Sequence, residues 1–236
     1  MFFEDSYFKP FLFRDAYSAP RVVQINEPDH RFYQVSDDLR YPSVSTVVGQ
    51  TSDKKFLEEW RSRVGEKEAD RISKQATKRG TAVHLLCEKY LLGERDDFKK
   101  AFRSSMPDVQ ANWRGLKDSL DDNVDEVLAS EIALYSNQWR MAGTTDLVAV
   151  WNGKRSIVDF KTSKKPKKLE WIEGYFVQCE AYAFMWEELY EEPIEQLVVL
   201  MAVDHQKEPM VFIEPRNKYD RELAKRRTLY YKMFGV

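Results

Sequence analysis

Two cysteines in 236 residues exclude a disulfide framework. They also exclude an iron–sulfur cluster ligated by four thiolates. Cys87 and Cys179 fall inside helical patterns and are expected as small buried hydrophobes. No apolar run approaches the roughly 18 residues of a membrane span, so no transmembrane helix is expected. An excess of one charge is also lacking. The formal net charge is −2, so there is no global basic field. Binding to nucleic acid would need Lys and Arg concentrated in a local groove. The opening stretch, MFFEDSYFKPFLFRDAY, lacks the basic start and apolar core of a secretory signal. It also lacks the Arg-rich, acid-poor character of a mitochondrial transit peptide. The expected location is the cytoplasm, that of a virus-infected host cell included. Internal repeats and low-complexity tracts are absent.

Hydrophobic content of 43% supports a large core, and charged content of 32% points to a soluble protein. The length fits one domain with an inserted or appended helical part. Residues 1–52 read as an aromatic arm, expected to pack on the body, followed by a hairpin over 21–35. His30 falls at its turn and is expected to be solvated. The hydroxyls of Ser43-Val44-Ser45-Thr46 suit either a helix cap or a phosphate. Residues 53–122 read as helical, with an apolar stripe at Phe56, Leu57 and Trp60 and a break near Met106-Pro107. Arg61, Arg63, Lys67, Arg71, Lys74, Lys78 and Arg79 make this part locally basic, as a solvated face or as a wall beside a site. Trp113 suits the core better than a stacking platform. Asp121-Asp122-Asn123 reads as a loop. Residues 123–236 then alternate strands and helices, with helices over 169–190 and 218–234. The fold class expected is α+β.

One stretch carries the chemistry: GTTDLVAVWNGKRSIVDFK, from Gly143 to Lys161. Asn152-Gly153 between β-type runs is a strong hairpin signal. The hairpin brings Asp146 near Asp159, and strand alternation puts Asp159 and Lys161 on one face. Two carboxylates and a lysine at one end of a hairpin suit a hard divalent cation such as magnesium, which takes one or two carboxylates and substrate phosphate. The Phe160 carbonyl is a candidate further ligand. Such a site suits phosphodiester hydrolysis, with the lysine holding the attacking water or the scissile phosphate. The lysines after it, Lys164, Lys165, Lys167 and Lys168, form a basic loop suited to phosphate contacts.

Four further features extend the pattern. Gly80 and His84 form G-x-x-x-H on a helical stretch. Glu131 lies in a strand-like run, Gly143 precedes Asp146 as G-x-x-D, and Gln178 and Tyr182 form Q-x-x-x-Y. In this order they resemble the RecB-like branch of the PD-(D/E)xK nuclease superfamily, phage and mitochondrial exonucleases in particular. The resemblance runs from about Pro42 to Tyr182. The acidic residue of the D/E-x-K element is here Asp159, and no proline precedes Asp146. The resemblance implies a restriction-endonuclease-like core, a central mixed β-sheet flanked by helices, with helical additions in the N-terminal half. It implies a metal-dependent DNA exonuclease acting on single strands or free ends. His84, Asp146, Asp159 and Phe160 are then expected to hold Mg²⁺, with Mn²⁺ able to substitute. Asp146, Asp159, Lys161 and Glu131 are expected to be catalytic, and Glu88 to support His84. Thr81, Lys164, Lys165, Gln178 and Tyr182 are expected to meet DNA. Replication or recombination proteins are the expected partners, and a membrane is not. A structure-specific endonuclease, or a silent DNA-binding module of the same fold, is the alternative.

Overall fold

The computed structural model describes residues 3–14 and 16–235. Met1, Phe2 and Asp15 of the expected arm lie outside the described residues.

A three-stranded meander frames the site: β5 (Val124–Ser136), β6 (Met141–Trp151) and β7 (Lys154–Ser163). The β6–β7 hairpin closes on Asn152 (φ 50°) and Gly153 (φ 75°), with Trp151 paired to Lys154. Positive φ at both central residues is what a two-residue turn of the right twist demands, and Asn-Gly supplies it cheaply. A helix, α6 (Glu173–Tyr190), then crosses over to β8 (Gln196–Val203), which runs parallel to β7. Parallel neighbours need such a crossover. At one edge β9 (Met210–Pro215) pairs antiparallel with β8. At the other, β1 (Leu12–Phe13) of the N-terminal arm pairs parallel with β5. The mixed sheet has the order β1-β5-β6-β7-β8-β9.

Helices cover both faces. Successive strand residues serve opposite cores, as the pleat requires. Leu147, Val158 and Val198 join one cluster, while Val148, Ile157 and Val199 join the other. All eight residues of β8 are buried, as expected of a strand covered on both faces. The first cluster is completed by α3 (Glu66–Leu91), α4 (Arg95–Ser104) and α5 (Pro107–Asn123), through Val83, Phe98, Trp113 and Leu116. Trp113 is fully buried and belongs to the core. The second cluster is completed by α1 (Val44–Gln50), α6 and α7 (Asp220–Phe234). Cys87 and Cys179 are free and buried, one in each cluster.

A small antiparallel sheet, β2 (Val23–Glu27), β3 (His30–Ser36) and β4 (Leu39–Pro42), packs Tyr33 and Tyr41 on Ala142 of β6. Ser43 follows directly and caps α1, its Oγ accepting from the Thr46 N–H at 3.0 Å. That is the capping reading of its hydroxyl.

Three local expectations change. His30 is not simply solvated: its Nδ1 lies 2.9 Å from the Tyr230 hydroxyl of α7. The stretch 121–123 is not a loop. The α5 helix runs through Asn123, whose side-chain amide donates to the Ser119 carbonyl, and β5 begins at the next residue. The stripe on α2 (Lys55–Val64) faces solvent, with Phe56 78% and Leu57 49% exposed. Only Trp60 of the three is half-buried.

Candidate active site

The β6–β7 ladder stops at Leu147 and Val158, yet both strands continue. Beyond that pair, side chains replace the ladder. The Phe160 N–H donates to Asp146 Oδ2 at 2.7 Å. The Phe160 carbonyl lies 2.8 Å from His84 Nε2. The two backbone groups freed by the ended pairing are thus satisfied by two expected site residues.

His84 enters from α3, whose neighbouring residues Val83, Leu86 and Cys87 are fully buried. Its Nδ1 lies 3.3 Å from Asp146 Oδ1 and 4.0 Å from Glu131 Oε1. Glu131 stands on β5 between Ser130, paired with Leu147, and Ile132, paired with Thr145, and so opposite Asp146. Its φ is 49°, a left-handed conformation inside a strand. For a residue with a side chain this stores about 1–3 kcal/mol, and such strain gathers at functional sites. One donor atom each from His84, Glu131 and Asp146 falls within 4.8 Å of the others, close enough to share a metal ion.

Asp159, expected among the ligands, stands outside that group. Its Oδ2 is in ion-pair contact with the Lys161 ammonium, though not in hydrogen-bond geometry. Lys161 also lies 5.0 Å from the centre of the Tyr175 ring. Sequence reading passed over Tyr175. Its signal was its position one helical turn before Gln178.

The charges explain the titration of the group. Burial pushes the His84 imidazolium down, but the Asp146 charge and hydrogen bond outweigh it, and its pKa stands at about 9. A ring with a carbonyl at Nε2 and carboxylates at Nδ1 has an acceptor for each nitrogen of the imidazolium. Burial would raise Asp146, but His84 and Lys161 hold it below the usual carboxylate range. Glu131 is pushed up to about 7 by burial and by the Asp146 charge, against the pull of His84. Burial raises Asp159 to about 6, Lys161 opposing and Asp146 adding. Burial lowers Lys161, yet Asp159 and Asp146 carry it above its usual value. One imidazolium and one ammonium thus balance three crowded carboxyl groups.

A cleft of about 440 Å³ opens over the group, lined by Gly80, Thr81, His84, Leu85, Glu88 and Glu131. Glu88 pairs with Lys89 and adds negative charge near Glu131. Lys164 and Lys165 are exposed on the loop after β7. Gln178 donates from Nε2 to the Tyr182 hydroxyl at 3.2 Å. Tyr182 is only 4% exposed and supports β6 from within. A Cβ on Gly143 would come 2.8 Å from Tyr182 Cε1, so the glycine of G-x-x-D is required by the tyrosine of Q-x-x-x-Y. Gly80 is under no such pressure, since a Cβ there would meet only Thr162 Oγ1, at 4.0 Å.

A mixed sheet with His, paired carboxylates and Asp-x-Lys at the end of a meander defines a nuclease of the restriction-endonuclease-like fold. The family model for the PD-(D/E)XK nuclease superfamily matches residues 49–231. The chain belongs to that superfamily, and its fold is the restriction-endonuclease-like α+β core. It is 28% identical over 178 residues to the human protein Mitochondrial genome maintenance exonuclease 1. That match covers 70% of this chain and 44% of the relative, so the chain spans less than half the length of that protein. Among solved structures, a Eubacterium rectale protein described as a candidate exonuclease superposes with a TM-score of 0.46 at 15% identity. The superposition covers 66% of this chain and 65% of that one.

Proposed function

We propose that this chain is a metal-dependent DNA exonuclease, hydrolysing phosphodiester bonds from the ends of single-stranded or resected DNA in replication, repair or recombination. The observation that carries the reading is the convergence of His84, Glu131 and Asp146 donor atoms within 4.8 Å, with the Asp159–Lys161 pair beside them. The donor set fits a divalent cation. Two carboxyl groups raise each other's cost of ionising, and the proton on His84 is the positive charge that now offsets them. An ion taking that proton's place relieves the same repulsion. Oxygen-rich ligands favour Mg²⁺, with Mn²⁺ able to substitute.

When bound, the metal lowers the pKa of its water and neutralises charge on the phosphodiester. Asp146 keeps β6 and β7 in register through its bond to the Phe160 N–H. His84, Glu131 and Asp146 would hold the ion, with Asp159, paired to Lys161, and the Phe160 carbonyl, facing His84 Nε2, beside them. Lys161, held in place by Asp159 and Tyr175, sets its ammonium against the phosphate or the attacking water, where negative charge develops. Thr81, Lys164 and Lys165 contact the DNA backbone. Gln178 positions the strand, and Tyr182 holds Gln178 and β6. The helical part at 53–122 works with the sheet as one nuclease domain, since they share a core cluster. The human relative is named an exonuclease, which favours cutting from ends.

The test is purified protein with Mg²⁺ and end-labelled linear or closed circular single strands. Linear strands should be degraded and circles spared, with no cutting in EDTA or by Asp146→Ala. Full activity in EDTA or in that variant would overturn the metal assignment. Circles cut as fast as linear strands would replace the exonuclease reading with an endonuclease one.

A further inference from the structure

Beside the site lies a second cleft, larger than the first. Its volume is about 730 Å³, against about 440 Å³ over His84. Leu85 lines both, so the two adjoin across one side chain. The second cleft is walled by Lys78 and Arg79 of α3, Met106 of the α4–α5 turn, and Lys164 of the loop after β7. Two stretches of chain tie it to the reacting groups. Lys164 follows Lys161 by three residues, roughly 10 Å of extended chain. Lys78 precedes His84 by six, roughly 9 Å of helix.

The cleft is built for an anion. Lys78 and Lys164 are exposed, and Lys164 also feels the charge of Glu68. Arg79 is 9% exposed; it donates to Asp204 Oδ2 at 2.9 Å, and its Nε has no partner. The N-terminus of the 17-residue α5 opens here, and its cap residue Met106 supplies no side-chain bond. Helix N-termini favour negative charge. Two acids also line the cleft, Asp108 and Asp204. Asp204 is committed to Arg79 and Asn112, and Asp108 accepts from the Val109 N–H. The floor is apolar: Leu85 is 41% and Met106 69% exposed. A polarisable, adaptable thioether beside exposed cations suits the flat face of a base better than a simple anion.

We propose that this cleft is a second nucleic-acid subsite. Lys78 and Lys164 take a backbone phosphate of the strand adjoining the scissile bond, and Met106 with Leu85 takes its base. The proposal rests on the nuclease reading of the adjoining site. A base face is available only in an unstacked strand, so the occupant is single-stranded. Phosphate contacts carry no sequence information, so the subsite tolerates any base.

The experiment measures kcat and KM for cutting of oligo-dT with Mg²⁺ across a salt series. Each phosphate contact to a single strand contributes about 0.7 to the slope of log affinity against log salt. Lys78→Ala with Lys164→Ala should raise KM, leave kcat near the wild-type value and flatten the slope of kcat/KM by about 0.7, the share of one phosphate. Lys78→Arg should keep the slope. Met106→Ala should raise KM without changing it. Lys232→Ala, an exposed lysine on α7, should change neither. If the wild type cuts and the double variant keeps its slope and KM, the subsite is overturned. If the wild type cuts no DNA with Mg²⁺ or Mn²⁺, the nuclease reading itself fails.

Discussion

Glu131 is the costliest residue of the site. Its φ of 49° places a side-chain-bearing residue in the left-handed region within a strand, opposite a second carboxylate. Burial and the Asp146 charge then raise its pKa to about 7. Neither feature serves the fold. Glycine adopts positive φ without strain, so Glu131→Gly should raise the melting temperature of the metal-free protein. Relief of about 1–3 kcal/mol of strain outweighs the 0.5–1 kcal/mol or so that a strand glycine costs in entropy. The same variant should lose most of its cutting rate and bind Mn²⁺ more weakly in calorimetry. A Glu131→Gly protein that melts lower than wild type, or cuts as well, would show that the strained carboxylate is not held for function.

At the scale of elements, one close contact fixes how near α6 lies to β6. Gly143 on β6 leaves room for the Tyr182 ring on α6, and any Cβ there would fall 2.8 Å from Cε1. The ring is buried among the second cluster and cannot swing into solvent. Gly143→Ala therefore should destabilise by about 1–3 kcal/mol, the usual cost of overpacking. Urea denaturation of Gly143→Ala, Tyr182→Leu and the pair should show strong coupling, with the double variant losing less than the sum. Additive losses would mean that glycine is kept at 143 for another reason. A second clamp holds the helix two residues before Tyr182. Glu180 is fully buried, ion-paired with Arg216 and accepting from the Asn217 N–H at 3.1 Å. Gln178 stands two residues before Glu180 and four before Tyr182, to whose hydroxyl it donates.

For the whole molecule the balance of charge at the site couples stability to pH and metal. In the metal-free protein the pKa of His84 is raised from 6.5 to about 9. A raised value contributes stability that is present below the unfolded pKa and lost as pH rises through the folded one. Glu131, raised from 4.5 to about 7, acts with the same sign. Metal-free protein should therefore lose stability from pH 4.5 to 7 through Glu131 and from pH 6.5 to 9 through His84. A metal needs His84 neutral and Glu131 ionised, so its binding releases protons and should tighten over the same range. Melting curves with EDTA or Mn²⁺ should separate progressively as pH rises. Curves that stay parallel from pH 6 to 9 would show that these groups do not hold the ion. The global net charge of −2 has no part in this. The lysines of the proposed subsite, Lys78 and Lys164, sit on α3 and after β7.

Much of this was written locally in the chain. Asn152-Gly153 determined the hairpin, because a two-residue turn with two positive φ angles admits few residue types. Strand alternation then put Asp159 and Lys161 on one face, and the spaced motifs placed His84, Glu131 and Gln178 on the right elements. Ser43 announced its cap, and Met106-Pro107 the break between α4 and α5. Only the tertiary structure decided what depends on residues far apart in the chain. It brought β1 beside β5, pairing Leu12 with Glu126. It buried Tyr182 against Gly143. It ended the β6–β7 ladder so that Asp146 and His84 take up the Phe160 backbone, drawing Glu131 rather than Asp159 to their side. Local signals specify turns, caps and faces, because those energies involve neighbours. Which carboxylate meets which imidazole is set by how helices and strands pack, and no short stretch of sequence contains that energy.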